Sequence, residues 1–184
     1  MKYSFIIFSL LLLIYMLWPG PTKISDSPPL PNSDKSTLEG DTIQIPNVSA
    51  YFSNNFRDFA TSFYRNHYQN SSHFPFPPLT LNHPPEYSWI AIKRHTDTTY
   101  LEEFAYPLRD SLYVNGLEPF YEDGSPKFWG ATMFEIGPAN FFTKVTLRFY
   151  PSNILVRIIV WLGVVVSIWL LFKLGKQIVL QKYE

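Results

Sequence analysis

Thr143-Lys-Val-Thr-Leu-Arg-Phe-Tyr150 runs through Pro151-Ser-Asn153 into Ile154-Leu-Val-Arg-Ile-Ile-Val-Trp-Leu-Gly-Val-Val-Val-Ser-Ile-Trp-Leu-Leu-Phe172, and this stretch decides the fold. In its first part Val145, Leu147 and Phe149 alternate with Lys144, Thr146 and Arg148. That period of two is the mark of a strand with one face toward a core. The second part carries a single charge, Arg157, one turn inside its end, where a long basic side chain can snorkel to head groups. Its nineteen residues, 154–172, rise about 28 Å as a helix, close to a hydrocarbon core of about 30 Å. We read 154–174 as a transmembrane helix and 175–184 as a cytoplasmic basic tail, with Lys173 and Lys176 at the exit.

A second apolar run lies at residues 3–18, preceded by Lys2 and ended by Pro19-Gly20-Pro21. It carries no charge and rises roughly 24 Å if helical. A cleavable signal peptide competes with an uncleaved signal anchor. The anchor is favoured, because no A-x-A-like pair follows the run and Pro28 would follow a cut after Ser27. Two spans put both termini on one side. The lysines near both ends place that side in the cytoplasm and residues 19–153 outside or in a lumen. Trp18, Tyr150 and Trp161 are expected as interfacial anchors. Arg148 and Arg157 stand near enough to the second span to meet lipid phosphates. So short a join predicts that the domain is held close to the bilayer.

Composition narrows the function. Lys+Arg and Asp+Glu are 15 each in 184 residues, so no basic excess calls for a nucleic acid partner. With no cysteine there is no disulfide framework, thiolate metal site or cysteine nucleophile. Only 8 glycines, and no P-loop or G-x-G-x-x-G, argue against a phosphate-binding cofactor cradle.

Between the spans, residues 19–46 are rich in Pro, Ser, Thr and Asp, show no apolar period, and read as an extended linker. Residues 47–151 read as an extracytoplasmic α+β domain: two helices followed by a small antiparallel sheet. The first helix is expected from a cap at Asn47 or Ser49 to about His67, with Phe52, Phe56, Phe59, Ala60 and Phe63 on its buried face. The second is expected after Pro84-Pro85-Glu86 to about Thr96. Asn115-Gly116 between two apolar segments is the strongest hairpin signal, and 122–126 reads as a turn.

Catalytic signals are sparse. Glu118 and Glu135 lie in apolar surroundings that can raise a carboxyl pKa. His95 and Asp97 form the one close His/carboxylate pair, with Glu102 and Glu103 following, but on a strand those two glutamates face opposite ways. Neither metal nor cofactor is expected. Arg109 and Asp110 read as an ion pair fixing the start of the hairpin. Gly163 and Ser167 make a small-xxx-small face for helix packing. Asn47-Val-Ser49 and Asn70-Ser-Ser72 match the glycosylation acceptor. The expected role is a binding or assembly component of a membrane complex, with the lipid bilayer and a membrane protein or a second copy as partners. The alternative is a membrane-tethered enzyme acting on a glycan or lipid.

Overall fold

The structure is a computed structural model and describes residues 2–39, 41, 45–83 and 98–181. It is α+β and divides into two compact units, Met1–Trp18 with Ser152–Glu184, and Pro19–Pro151.

The first unit is a pair of helices, α1 (Lys2–Leu17) and α3 (Ile154–Gln181). Among the described residues one helix is long and apolar enough to cross a membrane, Ile154–Val179 with 26 residues. Of the two expected flanking spans, one meets that length; the other, Tyr3–Leu17, is a shorter apolar helix. The 16 residues of α1 rise about 24 Å, short of a typical hydrocarbon core. The two helices meet along a stripe. Ser9 and Met16 are buried on α1, with Phe5 and Leu12 half-buried beside them; Arg157 is buried on α3, with Trp161, Val164 and Val165 half-buried. Spacings of three and four residues on both helices put each set on one face. Asn153 caps α3, its Oδ1 accepting from the Leu155 amide at 2.8 Å.

The second unit is built on a six-stranded antiparallel sheet in the order β1-β2-β8-β5-β4-β3. The strands are β1 (Asp34–Lys35), β2 (Val48–Ser53), β3 (Leu79–His83), β4 (Thr99–Tyr106), β5 (Asp110–Leu117) and β8 (Thr143–Tyr150). A separate hairpin pairs β6 (Phe134–Ile136) with β7 (Ala139–Phe141). Helix α2 (Arg57–Ser72) covers one sheet face, packing on β4 and β5. Ala60, Tyr64 and Tyr68 of α2 bury against Tyr51, Tyr100, Phe104, Tyr106, Leu112, Val114, Val145, Leu147 and Phe149. Each fully buried side chain such as Phe104 or Leu112 contributes roughly 1.5–3 kcal/mol. The opposite face is covered at its β2 end by the β6–β7 hairpin, where the Phe52 ring lies 5.3 Å from Phe134.

The alternation in β8 appears as expected, with Thr143, Val145, Leu147 and Phe149 buried. Other expectations need correction. Residues 48–53 form a strand buried along its whole length, and the helix begins only at Arg57. Phe52 therefore belongs to the sheet. Of the expected helix face, Ala60 is buried and Phe63 packs against the core, but Phe59 is 48% exposed and Tyr64 and Tyr68 supply the larger buried side chains.

Asn115-Gly116 is no turn; β5 runs straight through it. Gly116 sits opposite Tyr100, and a Cβ there would lie 2.1 Å from the Tyr100 ring. The glycine makes room for an aromatic ring of the neighbouring strand. The real hairpin turn is Tyr106-Pro107-Leu108-Arg109, closed by Arg109 N–H donating to the Tyr106 carbonyl at 3.0 Å. Leu108 there holds a left-handed φ of 64°. Residues 19–46 are not a free linker either. They contribute a 3-10 turn (Ile24–Asp26), strand β1 paired with β2, and Leu30, which is buried in the core. Residues 122–126 do turn, with Gly124 N–H donating to the Tyr121 carbonyl at 3.0 Å. The helix expected over 84–96 lies outside the described residues.

Candidate functional site

The sheet carries three clusters of polar chemistry, each placed by strand alternation. The first lies at the N-terminus of α2. Glu118, just beyond β5, is buried, and its Oε2 accepts from Lys127 Nζ at 3.2 Å. Its Oε1 has no hydrogen-bond partner among the described residues. Burial pushes the Glu118 carboxyl up from its ordinary value, while Lys127 and the backbone and side chain of Arg57 pull it back. Helix α2 lacks a side-chain cap of its own at Phe56. The Glu118 carboxylate is thus drawn toward the positive end of a helix that needs an acceptor. Arg57 also pairs with Glu102 at 2.9 Å and stands 5.3 Å over the Tyr100 ring. An open cleft of about 180 Å³ is lined here by Arg57, Asp58, Glu118, Tyr121 and Lys127, among others.

Glu135 does not join this cluster. It lies exposed on β6 and is not among the residues that line the Glu118 cleft. The two carboxylates thus stand in different surroundings, Glu118 buried and Glu135 exposed. His95 and Asp97 lie outside the described residues.

The second cluster is a buried ion pair at the β4–β5 turn. Arg109 and Asp110 approach to 3.6 Å with side chains almost wholly out of solvent. The Tyr68 hydroxyl lies 2.6 Å from Asp110 Oδ1, and the Arg109 guanidinium stands over the rings of Tyr106 and Phe74 at 5.5 and 5.9 Å. The expected ion pair is present, but it lies at the β4–β5 turn and not at the entry to an Asn115-Gly116 hairpin.

The third cluster is on the sheet face opposite α2. Glu102 and Glu103 point to opposite faces, and Glu103 takes His83 Nε2 at 2.8 Å. The His83 ring stacks on Tyr113 at 5.8 Å, and Tyr113 packs edge-on against Tyr150 at 5.3 Å. The register aligns Glu103, Tyr113 and Arg148 in one row across β4, β5 and β8. Burial and the Glu103 carboxylate push the Tyr113 hydroxyl up to about 12. Beside this row lies an open pocket of about 250 Å³ lined by Leu101, Ser111, Tyr113, Arg148 and Tyr150. Sequence reading picked out Tyr150 and Arg148 but not the pocket. The alternation of β8 already placed both on one face; the pairing of β8 with β5, which completes the site, is a long-range contact.

Several expected membrane-facing residues sit in the helix pair. Arg157 Nη1 donates to the Met16 carbonyl at 3.1 Å, and Trp161 Nε1 donates to the Ser9 carbonyl at 2.9 Å. Both are turned toward α1, and neither stands free as an interfacial anchor. Lys173 Nζ lies 5.5 Å over the Trp169 ring, and Lys176 is exposed. Trp18 follows α1, its amide donating to the Tyr15 carbonyl at 3.3 Å. Gly163 and Ser167 lie on the exposed side of α3, away from the α1 seam. Of the glycosylation acceptors, Asn70 is exposed on α2, whereas Asn47 is half-buried and its Ser49 is buried in β2.

Among the described residues no group of three His, Asp or Glu side chains gathers as a metal site. Comparison of the chain with protein families, with curated proteins and with solved structures finds no match in any of the three.

Proposed function

We propose that the chain is an integral membrane protein of two spans, with both termini in the cytoplasm and its α+β domain on the extracytoplasmic or lumenal side. Its role is that of a binding or assembly component of a membrane complex. The observation that carries this reading is the α1–α3 pair. Side chains turned away from the seam are predominantly apolar, while the seam holds Ser9, Arg157 and Trp161. Polar groups facing a helix partner and apolar groups facing outward is the arrangement a bilayer demands. The shortness of α1 is accommodated by local thinning of the bilayer at modest cost. Binding is favoured over catalysis because Glu135 is exposed and does not line the Glu118 cleft, and because Trp129 is 97% exposed on the domain surface. An indole that open is a contact residue in want of a partner. On α3, the exposed Gly163 and Ser167 allow close approach of a further helix, from another membrane protein or a second copy.

The test is gentle detergent extraction and identification of co-purifying chains, from wild type and from Trp129→Ala and Gly163→Leu. Loss of the same partner from either variant supports the reading. Recovery of a lone monomer from wild type contradicts it. A second reading, a tethered enzyme acting on a glycan or lipid, draws on Glu118, whose raised carboxyl borders an open cleft. An unchanged cellular phenotype in Glu118→Gln and Glu135→Gln ends it.

A further inference from the structure

We infer that strand β3 is a docking edge for the β3 of a second copy of this chain, the two strands pairing antiparallel about a two-fold axis through Leu81. The inference names one partner within the assembly reading above and rests on that reading.

A sheet ends in a row of backbone N–H and C=O groups that a further strand can take up. The two edges of this sheet are built differently. Strand β1 is two residues long and carries Asp34 and Lys35, and shortness and charge both deter pairing. Strand β3 is five residues long, with Leu79, Thr80, Leu81 and Asn82 exposed and β4 its one neighbour among the described residues. It lacks those guards: the strand contains no Asp, Glu, Lys, Arg or Pro, and Leu79 and Leu81 are 55% and 46% exposed.

Charge selects the occupant. The carboxylates beside the edge are already matched, Glu102 by Arg57 at 2.9 Å and Glu103 by His83 at 2.8 Å. His83, the one titratable side chain of β3, also stacks on Tyr113 and so is turned back over its own sheet. An acidic or basic peptide thus finds these charges taken, whereas an identical strand brings no like charge to oppose.

The sequence sets the register. Pro77-Pro78 before β3 and Pro84-Pro85 after it have no N–H to give. Overlap of all five residues requires the two-fold axis at Leu81, which sets Leu81 against Leu81, Thr80 against Asn82 and Leu79 against His83. A slipped strand loses these pairs and runs into proline. Because the same edge is used on both copies, the assembly closes at two.

The experiment uses the full chain in mild detergent and reads oligomeric state by native mass spectrometry across a dilution series. Wild type should be a dimer. Leu81→Glu and Leu81→Lys each set like charges face to face and should weaken dimerisation at least about tenfold, while an equimolar mixture of the two should regain it. Leu81→Cys, in a chain without native cysteine, should be linked into dimers by a short bis-maleimide, and Leu38→Cys, a similarly exposed site outside β3, should not. Should the charge variants fail to fold, the cysteine pair decides. A monomeric wild type, a dimer that both charge variants keep, or equal linking at the two cysteine sites overturns the inference. Gentle extraction separates the two readings. A wild type recovered with a different chain but never with itself sinks the β3 seam alone; a lone monomer sinks both.

Discussion

Arg157 holds the end of α1: its Nη1 donates to the Met16 carbonyl at 3.1 Å, and its Nε donates to Ser152 Oγ at 2.6 Å. Met16 lies in the last turn of α1, where carbonyls have no partner within the helix and the dipole is negative. That turn contains no basic residue of its own, so α3 supplies the cation. Arg157→Gln should weaken the helix pair by about 1.5–3 kcal/mol, with Arg157→Lys in between. Thermal unfolding in detergent, with amide exchange at 14–17, checks this. Unchanged protection of those amides in the glutamine variant would show that the contact does not hold α1.

Gly116 and Tyr100 form a fitted pair, since a Cβ at 116 would stand 2.1 Å from the Tyr100 ring. Gly116→Ala should destabilise the domain by about 1–3 kcal/mol through forced displacement of a buried ring. Combined with Tyr100→Ala, the alanine at 116 should cost much less than it does alone. Chemical denaturation of the full chain in detergent gives the cycle, and strict additivity would refute the pairing.

Leu108 sits at a left-handed φ of 64° and is half exposed. A side chain there costs about 1–2 kcal/mol, partly offset in a glycine by its greater freedom in the unfolded chain. Leu108→Gly should therefore raise the thermal midpoint slightly, and β-branched Leu108→Val should lower it. The reverse order would mean that the Leu108 side chain makes contacts worth more than the strain.

Glu118 gives the domain a pH dependence of defined sign. Burial raises its folded pKa above the ordinary 4.5, so the folded state holds the proton more tightly than the unfolded chain. The stability this contributes is fully present below about pH 4.5 and is lost as pH rises through the folded pKa. The midpoint difference between wild type and Glu118→Gln, followed upward from pH 4, should fall across that window and then level off. A difference independent of pH would show that the carboxyl is not perturbed.

What the sequence reveals follows the range of the physics involved. The alternation of Val145, Leu147 and Phe149 is local, and β8 lies where it predicts. The α3 run is local too, and it forms a helix, which continues past the expected end to Gln181. Phe52 shares a helical period with Phe56, Phe59 and Phe63 by coincidence, since it lies on a strand while Phe59 and Phe63 lie on α2. The segment before Arg57 pairs with β8, a partner roughly ninety residues away in the chain. Asn115-Gly116 reads as a turn because the need for glycine there comes from a ring on another strand, invisible in one segment. Leu30, in a stretch of turn formers, joins the core as a single apolar residue with no period to reveal it. The pocket beside Arg148 depends on register, which no window of sequence contains.

The central claim is two spans with both ends inside, and a chain without native cysteine lends itself to one direct measurement. Single cysteines at Tyr3, Trp129 and Lys176 are labelled with a membrane-impermeant maleimide, before and after permeabilisation of intact cells. Trp129→Cys should label in intact cells, and Tyr3→Cys and Lys176→Cys only once the membrane is opened. Labelling of Tyr3→Cys and Lys176→Cys from opposite sides, loss of the Tyr3 site from the mature chain, or a Trp129→Cys that labels only after permeabilisation would contradict the account.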